Sequence, residues 1–378
     1  MTLTRRKFSI SSGAALLAGF PSVRAQSEGK IILGQSAAFS GPAAQLGIQF
    51  HQGAKLYFDG INAQGGISRQ QIEIRKLDDG YEPARCVENT QKLIADNVFA
   101  LFGYIGTPTS IAALPLATKA KIPFIAPFSG AMALRDPFNK YAFHVRASYN
   151  DETALIVKQL LNLGLKKIAV FYQNDAYGKA GLDGVNLALG LQSLKPVALA
   201  TVERNSVDVA PAVKTLMAAS PDAVVQIGAY KACAAFIRQA RKAGYGGTFY
   251  NVSFVGTQAL ADELGKDGAG VVVSQVMPSP YNASRAIARE FASAVAAANN
   301  KEVQVNFSSM EGYVAARLFA EGLKRAGANP TRESLMVGLE GIGSQSLGGF
   351  SVSLSSNDHV ASSFVELSML TGDGRVRT

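Results

Sequence analysis

Two α/β lobes, each a doubly wound parallel sheet, are the architecture this sequence predicts, and three observations predict it. Apolar, strand-like runs alternate with stretches of helical period, joined by short connections. The alternation comes in two blocks, roughly 30–145 and 150–275, parted by the polar connection YAFHVRASYNDET (141–153). The length of 378 residues is long for one domain and suits two.

In order, KIILGQ (30–35) is a strand, and Ser40-Gly41-Pro42 opens a helix with proline in its first turn. That amphipathic stretch runs to Asn62 and stops at Gly65-Gly66, a common helix terminator. QIEIRKL (71–77) alternates strictly, as a half-exposed strand does. PARCVENTQKLIADN (83–97) is helical, VFALFG (98–103) a buried strand, PTSIAALPLATKAK (108–121) helical, and IPFIAP (122–127) the next strand. After Asp151 a helix runs to Gly164, followed by the strand KIAVFYQ (167–173) and a helix from about Gly178. VALATV (197–202), a helix over 211–219, DAVVQIG (222–228), a helix over 231–243 and TFYNVS (248–253) complete the second block. Strands spaced by helices of this length form βαβ units, whose parallel sheet is covered on both faces.

Composition narrows the function. Apolar residues make up 48% of the chain, enough for sizeable cores. No run approaches the ~18 apolar residues of a membrane span. The formal charge is +9, from 37 Lys and Arg against 28 Asp and Glu. Four of the cations, Arg5, Arg6, Lys7 and Arg24, lie in the first 25 residues; 37 less these four leaves 33 and a balance of +5. The remaining charges are scattered singly, tryptophan is absent and no aromatic series could stack on bases, so nucleic acid is not an expected partner.

Residues 1–25 read as an export signal: Arg5-Arg6-Lys7, the short apolar stretch Ile10 to Phe20, then the small-x-small pattern Val23-Arg24-Ala25. Thr4-Arg5-Arg6-Lys7-Phe8 resembles the twin-arginine pattern, with an ordinary secretory signal as the alternative. No cysteine follows to carry a lipid anchor. Cys86 and Cys233 could bridge in an oxidising compartment, but they fall on helices of different blocks and are expected to be separate buried thiols.

Two successive strand ends hold the candidate site. FALFG leads into Tyr104-Ile105-Gly106-Thr107-Pro108-Thr109-Ser110, and IPFIAP into Phe128-Ser129-Gly130-Ala131. Neither ending carries an acid, base, thiol or imidazole. In an open parallel sheet, ligands bind beyond the carboxyl ends of the strands, where helix N-termini present unpaired N–H groups. Thr107 and Ser129 are expected to offer hydroxyl donors to a carboxylate there, with Gly106 and Gly130 letting backbone amides approach. The alternatives are a helix cap for Thr107 and a turn for Ser129. There is no G-x-S-x-G elbow, phosphate-binding G-x-x-x-x-G-K-[ST], H-E-x-x-H or EF-hand loop, and Gly341-Ile342-Gly343 follows a helix, not a strand. His51, His144 and His359 are dispersed, and Asp78-Asp79 before Gly80 reads as a turn. No enzymatic activity, metal or cofactor is expected.

SAAFSGPAAQLGIQFHQGAKLYFDGINAQGGI (36–67) resembles the opening of bacterial periplasmic solute-binding proteins of the leucine/isoleucine/valine class. LDDGYEPARCVENTQKLI, FYQNDAYGKAGLDGV and FIRQARKAG resemble later segments of that class, in order and at similar spacing. The resemblance implies a type I periplasmic binding protein fold whose lobes close on a ligand like a hinged clamp. Its three chain crossings would lie near Arg146–Asp151, Gln275–Tyr281 and Gly348–Ser355. The implied first lobe is 26–147 plus about 277–350, and the second is 148–276 plus part of the C-terminal region. GGFSVSLSS and SSFVELSML would be alternating strands formed as the chain returns to the first lobe.

The resemblance also implies a carboxylate site at Thr107 with Phe128, Ser129 and Gly130, an aromatic contact from Tyr177, and further lining by Leu46, Ile105, Tyr230 and Ser253. Implied partners are a small carboxylate, foremost an amino acid of branched-chain type, and an inner-membrane ABC permease served by a monomeric periplasmic receptor. A binding protein for an aromatic or aliphatic acid without an amine, and a ligand sensor, are the alternatives; an exported hydrolase is a third. Two positions depart from the class. Ser253 stands where its amino-acid binders place an acid for the ligand's ammonium, and Tyr81 and Gly106 stand at its first-lobe disulfide.

Overall fold

The computed structural model describes residues 29–298 and 302–378, and the expected export signal lies outside them. The chain opens with β1 (Lys30–Ala37), α1 (Ala44–Ala63), β2 (Gln71–Asp78), α2 (Pro83–Ala95), β3 (Ala100–Phe102), α3 (Thr107–Lys119), β4 (Phe124–Ile125) and β5 (Ala142–Phe143). These strands form a parallel sheet in the order β2-β1-β3-β4-β5. The middle of the chain follows with α4 (Tyr149–Asn162), β6 (Ile168–Gln173), α5 (Ala176–Gly190), β7 (Ala198–Val202) and α6 (Ala210–Ala218). It continues through β8 (Ala223–Ile227), α7 (Tyr230–Lys242), β9 (Thr248–Asn251), α8 (Thr257–Leu264) and β10 (Val272–Gln275). The C-terminal part contributes α9 (Ala286–Ala298), α10 (Phe307–Arg325), α11 (Arg332–Glu340), the hairpin β11 (Gly343–Leu347) and β12 (Phe350–Leu354), then β13 (Glu366–Leu370) and β14 (Val376–Arg377).

The second sheet runs β14-β13-β10-β9-β8-β6-β7 and is parallel from β10 to β7. All five residues of β8 are buried, as expected of a central strand covered on both faces. The edge strand β7 instead alternates between covered and open positions. On the first lobe α10 is buried along most of its length and lies against α1. The two helices approach closely at Gly53 and Gly312, where a β-carbon on either would strike the facing backbone.

The two C-terminal strand patterns go to different places. GGFSVSLSS supplies β12 of a separate hairpin, whereas SSFVELSML supplies β13, which pairs antiparallel with β10 in the second lobe. The last passage between lobes therefore falls near 359–365, later than the expected 348–355. The hairpin completes its own ladder first. The chain then runs beside β5, with the His144 N–H donating to the His359 carbonyl and the Ala361 N–H to the His144 carbonyl.

Smaller expectations find their places. Cys86 and Cys233 are both free and buried. Asp78 accepts from the N–H groups of Phe39, Ser40 and Gly80, an Asx-type turn that ties the ends of β1 and β2. His51 packs inside α1 with Nδ1 2.7 Å from the Gln35 Oε1. Burial, aided by Lys76 and Lys55, lowers its pKa to about 4, so it is neutral at physiological pH.

Candidate ligand cleft

The two strand ends meet. Beyond the β3–β4 pairing, Ile105 makes one more bridge to Phe128, and this register sets the Thr107 and Ser129 hydroxyls 2.7 Å apart. Both side chains are fully buried. Thr107 is the first residue of α3 and not its cap: Gly106, at φ 99°, holds the capping position and no side chain caps the helix. The first N–H groups of α3 thus have no intrahelical partner, as at any helix start. Between Thr107 and Ser129 one hydroxyl hydrogen is used in their mutual bond, which leaves the other free to donate.

A third hydroxyl arrives from the chain crossing. Tyr149, the first residue of α4, lies buried with its hydroxyl beside Thr107 and the Gly130 backbone, and no hydrogen bond of good geometry engages it. Buried polar atoms are rarely left so, and an acceptor lodged among these hydroxyls would satisfy it. Gly130 makes the approach feasible. A β-carbon there would lie 2.7 Å from the Tyr149 ring, and the Gly130 carbonyl accepts the Tyr149 N–H at 2.8 Å.

Aromatic rings wall the cleft. Phe254, from the loop after β9, has its ring 5.7 Å from Phe128, 5.8 Å from Tyr81 and 4.5 Å from Tyr177. Tyr177 lies 5.4 Å from Tyr149 and turns its hydroxyl to the Gly228 carbonyl at 3.5 Å. The Arg146 guanidinium stacks 3.9 Å above Phe128 and forms a bidentate pair with Glu311. Leu46 and Tyr230 sit on the seam between lobes. Leu46 abuts Gly256 of the second lobe, and the Tyr230 hydroxyl accepts the Gln45 N–H at 3.4 Å. Ile105, Thr107, Phe128, Ser129, Gly130 and Tyr177 thus gather round Tyr149 and Phe254, while Leu46 and Tyr230 lie toward one side.

Ser253 is not alone at its position. Its N–H and hydroxyl both donate to Glu152, at 2.7 and 3.0 Å, and the Ser274 hydroxyl donates to the same carboxylate at 2.5 Å. Glu152 is fully buried. Burial raises its pKa, opposed by the charge of Arg146 and by the serine bonds. Tyr149, Glu152, Arg146 and Phe254 were not among the lining residues expected from the sequence. Tyr149 and Glu152 are three apart at the start of α4, and that spacing, inside the polar connection between the two blocks, is the available signal.

Tyr81 and Gly106 complement each other in shape. The tyrosine ring lies on Gly106 so closely that a β-carbon there would collide with it. The ring thus fills the space where the resemblance implies a disulfide, and its hydroxyl accepts from Gln173 Nε2 across the cleft at 3.3 Å. A polar latch joins the lobes at the rim. Arg204 reaches Glu82 at 2.9 Å and Asp175 at 3.3 Å, while Asn205 Nδ2 donates to Glu82 at 2.8 Å and to the Gly80 carbonyl at 3.0 Å. Where the first two chain crossings meet α10, a cavity among Phe128, Arg146, Ser253 and Met277 measures only about 10 Å³.

Among the described residues no group of three or more His, Cys, Asp or Glu is placed to hold a metal, and no helix is long and apolar enough to cross a membrane.

Two α/β lobes facing each other across a buried seam of hydroxyls and aromatic rings are the architecture of a ligand-binding protein. The chain belongs to the periplasmic binding protein family, which it matches over residues 30–374, and it has that family's type I fold. An amino acid binding protein of Pseudomonas aeruginosa is 26% identical over 237 residues, 62% of this chain and 63% of that protein. The chain thus matches less than two thirds of that relative's length. Among solved structures, a possible leucine/isoleucine/valine-binding protein from Rhodopirellula baltica is 34% identical with a TM-score of 0.88, over 93% of this chain and 96% of that one. A substrate-binding periplasmic protein from Ralstonia solanacearum is 32% identical with a TM-score of 0.86, over 92% of this chain and 99% of that one.

Proposed function

We propose that this protein is a periplasmic solute-binding protein that captures a small carboxylate, an amino acid of branched-chain type, and delivers it to an ABC importer. One observation carries the reading: the buried hydroxyls of Thr107, Ser129 and Tyr149 converge in the cleft, the last with no well-formed hydrogen bond. Neutral donors at a helix start suit a carboxylate. The surrounding Ile105, Phe128, Tyr177 and Phe254 suit an apolar side chain, because pockets of this kind combine apolar walls with a few placed polar groups. The names of the Pseudomonas and Rhodopirellula proteins support the same class of ligand. On this reading the protein works as a monomer and its partner is an inner-membrane permease.

A thermal-shift screen over the amino acids, aromatic acids and short aliphatic acids tests it. A ligand at 100 times its Kd adds about 2.7 kcal/mol of stability, so branched-chain amino acids should raise Tm by several degrees. A response confined to amine-free acids would reassign the ligand, and silence across the panel would remove the reading altogether.

Closure has its own test. The latch pairs are partly exposed, and such pairs contribute only about 0–1 kcal/mol each, so they cannot by themselves hold the lobes shut. Contacts of the ligand with both lobes then decide the equilibrium. Small-angle scattering should show the radius of gyration fall at saturating ligand, in Arg204→Ala with Asn205→Ala as in the wild type. Verified binding at constant radius would rule out the clamp.

A further inference from the structure

The geometry points to Glu152 as the acceptor for the ligand's ammonium group, so that the cleft selects zwitterionic α-amino acids over the same acids lacking the amine. The inference rests on the amino-acid reading above and names the residue that makes it specific.

The cleft holds donors on one side and an acceptor on the other. Tyr149 and Glu152 are three residues apart in the first turn of α4, a spacing that sets two side chains on one face about 5–6 Å apart at their β-carbons. The first presents beside Thr107 a hydroxyl with no well-formed hydrogen bond; the second presents a carboxylate. An α-amino acid carries its own carboxylate and ammonium on one carbon. A molecule lodged with its carboxylate among Thr107, Ser129 and Tyr149 would turn its amine toward the neighbouring Glu152.

Glu152 also has room for another donor. A carboxylate accepts about four hydrogen bonds, and Glu152 receives three, only one of them on Oε1, from the Ser253 hydroxyl at 3.0 Å. Among the described residues no cation lies at ion-pair distance from it. Arg146 acts on it through space, but its Nε and Nη2 are committed to Glu311 at 2.8 Å each. A fully buried carboxylate whose direct donors are all neutral, with a guanidinium acting only from a distance, is incompletely compensated, and an ammonium is the group that completes it. The serines keep the carboxylate oriented, since Ser253 and Ser274 hold it from β9's loop and from β10.

Calorimetry with L-leucine and L-valine, against 4-methylpentanoate and 3-methylbutanoate, separates the outcomes. The wild-type protein should favour each amino acid over its deaminated partner, and Glu152→Gln should lose about 30-fold or more in affinity for the amino acids, as expected when one member of a buried charge pair is removed. The affinity of Glu152→Gln for the deaminated acids should hold or improve, which also shows the variant to be folded. Should the variant fail to fold, Glu152→Asp, which keeps the charge but draws it back by one methylene, decides instead: a reduced preference for the amino acids supports the assignment and an unchanged one overturns it. Equal wild-type affinity for L-leucine and 4-methylpentanoate would overturn the inference alone, as would an unchanged preference in Glu152→Gln. Binding of the deaminated acids with none of any amino acid would overturn both the inference and the amino-acid reading.

Discussion

Glu311→Ala should lower the stability of the protein by about 3–5 kcal/mol, because it strands a buried guanidinium. Arg146 and Glu311 are 0% and 3% exposed and joined by two bonds of 2.8 Å. Burial works against the charge on Arg146, and the adjacent carboxylate more than offsets it, holding the guanidinium protonated well above its ordinary range. Removing Glu311 leaves the burial and deletes the offset. The stacking on Phe128, at 3.9 Å, and the more distant charge of Glu152 would remain. The pair also ties the first chain crossing to α10, so its loss loosens the base of the cleft. Urea denaturation measures the change. The double variant Arg146→Met with Glu311→Leu should recover most of it, since a buried pair replaced by apolar residues of similar size is often neutral or better. A Glu311→Ala protein within about 1 kcal/mol of wild type would show that water reaches the guanidinium.

Much of the fold was legible because it depends on local pattern. The fully apolar run at β8 and the amphipathic stretch at α1 declare themselves by period alone. Even so, IPFIAP yields only a two-residue strand over Phe124–Ile125. Ala126 adopts φ 54°, which leaves strand geometry and turns the chain toward Ser129, a feature that its sequence does not advertise. The third passage between lobes was misplaced for a related reason: β12 and β13 show similar strand patterns, and only tertiary packing sends them to different sheets.

The site was half legible. Thr107 and Ser129 stood out because each ends a strand, and neighbouring strands bring their ends together. Glu152 did not, because an acid in the first turn of a helix is explained well enough by the helix dipole. Its role depends on Ser253 and Ser274, 101 and 122 residues away, and no local pattern encodes such a meeting. Tyr81 and Gly106 are similar: the substitution of each is visible singly, but that one fills the space left by the other is a property of the folded lobe.

Thr107→Val should reduce affinity for the best ligand of the screen by roughly tenfold to a hundredfold, the effect of losing one charge-assisted hydrogen bond of about 1.5–3 kcal/mol. Valine keeps the branched shape, so the start of α3 and its fully buried packing survive. What disappears is the hydroxyl 2.7 Å from Ser129. Ser129 then keeps only the Ala131 N–H, at 3.3 Å, in the free protein, a change of about 1 kcal/mol in stability that unfolding would register separately from binding. Tyr177→Phe offers the contrast. Its hydroxyl is spent on a long bond of 3.5 Å to the Gly228 carbonyl, so its removal should weaken binding less than Thr107→Val does. Ser253→Glu would set a second carboxylate against Glu152, which already accepts from Ser253 at 2.7 and 3.0 Å, and two such neighbours cannot both stay ionised. That variant should bind amine-free acids worst of all. Calorimetry on the three variants orders them, and a Thr107→Val protein that bound its carboxylate with wild-type affinity would move the anion site away from these strand ends.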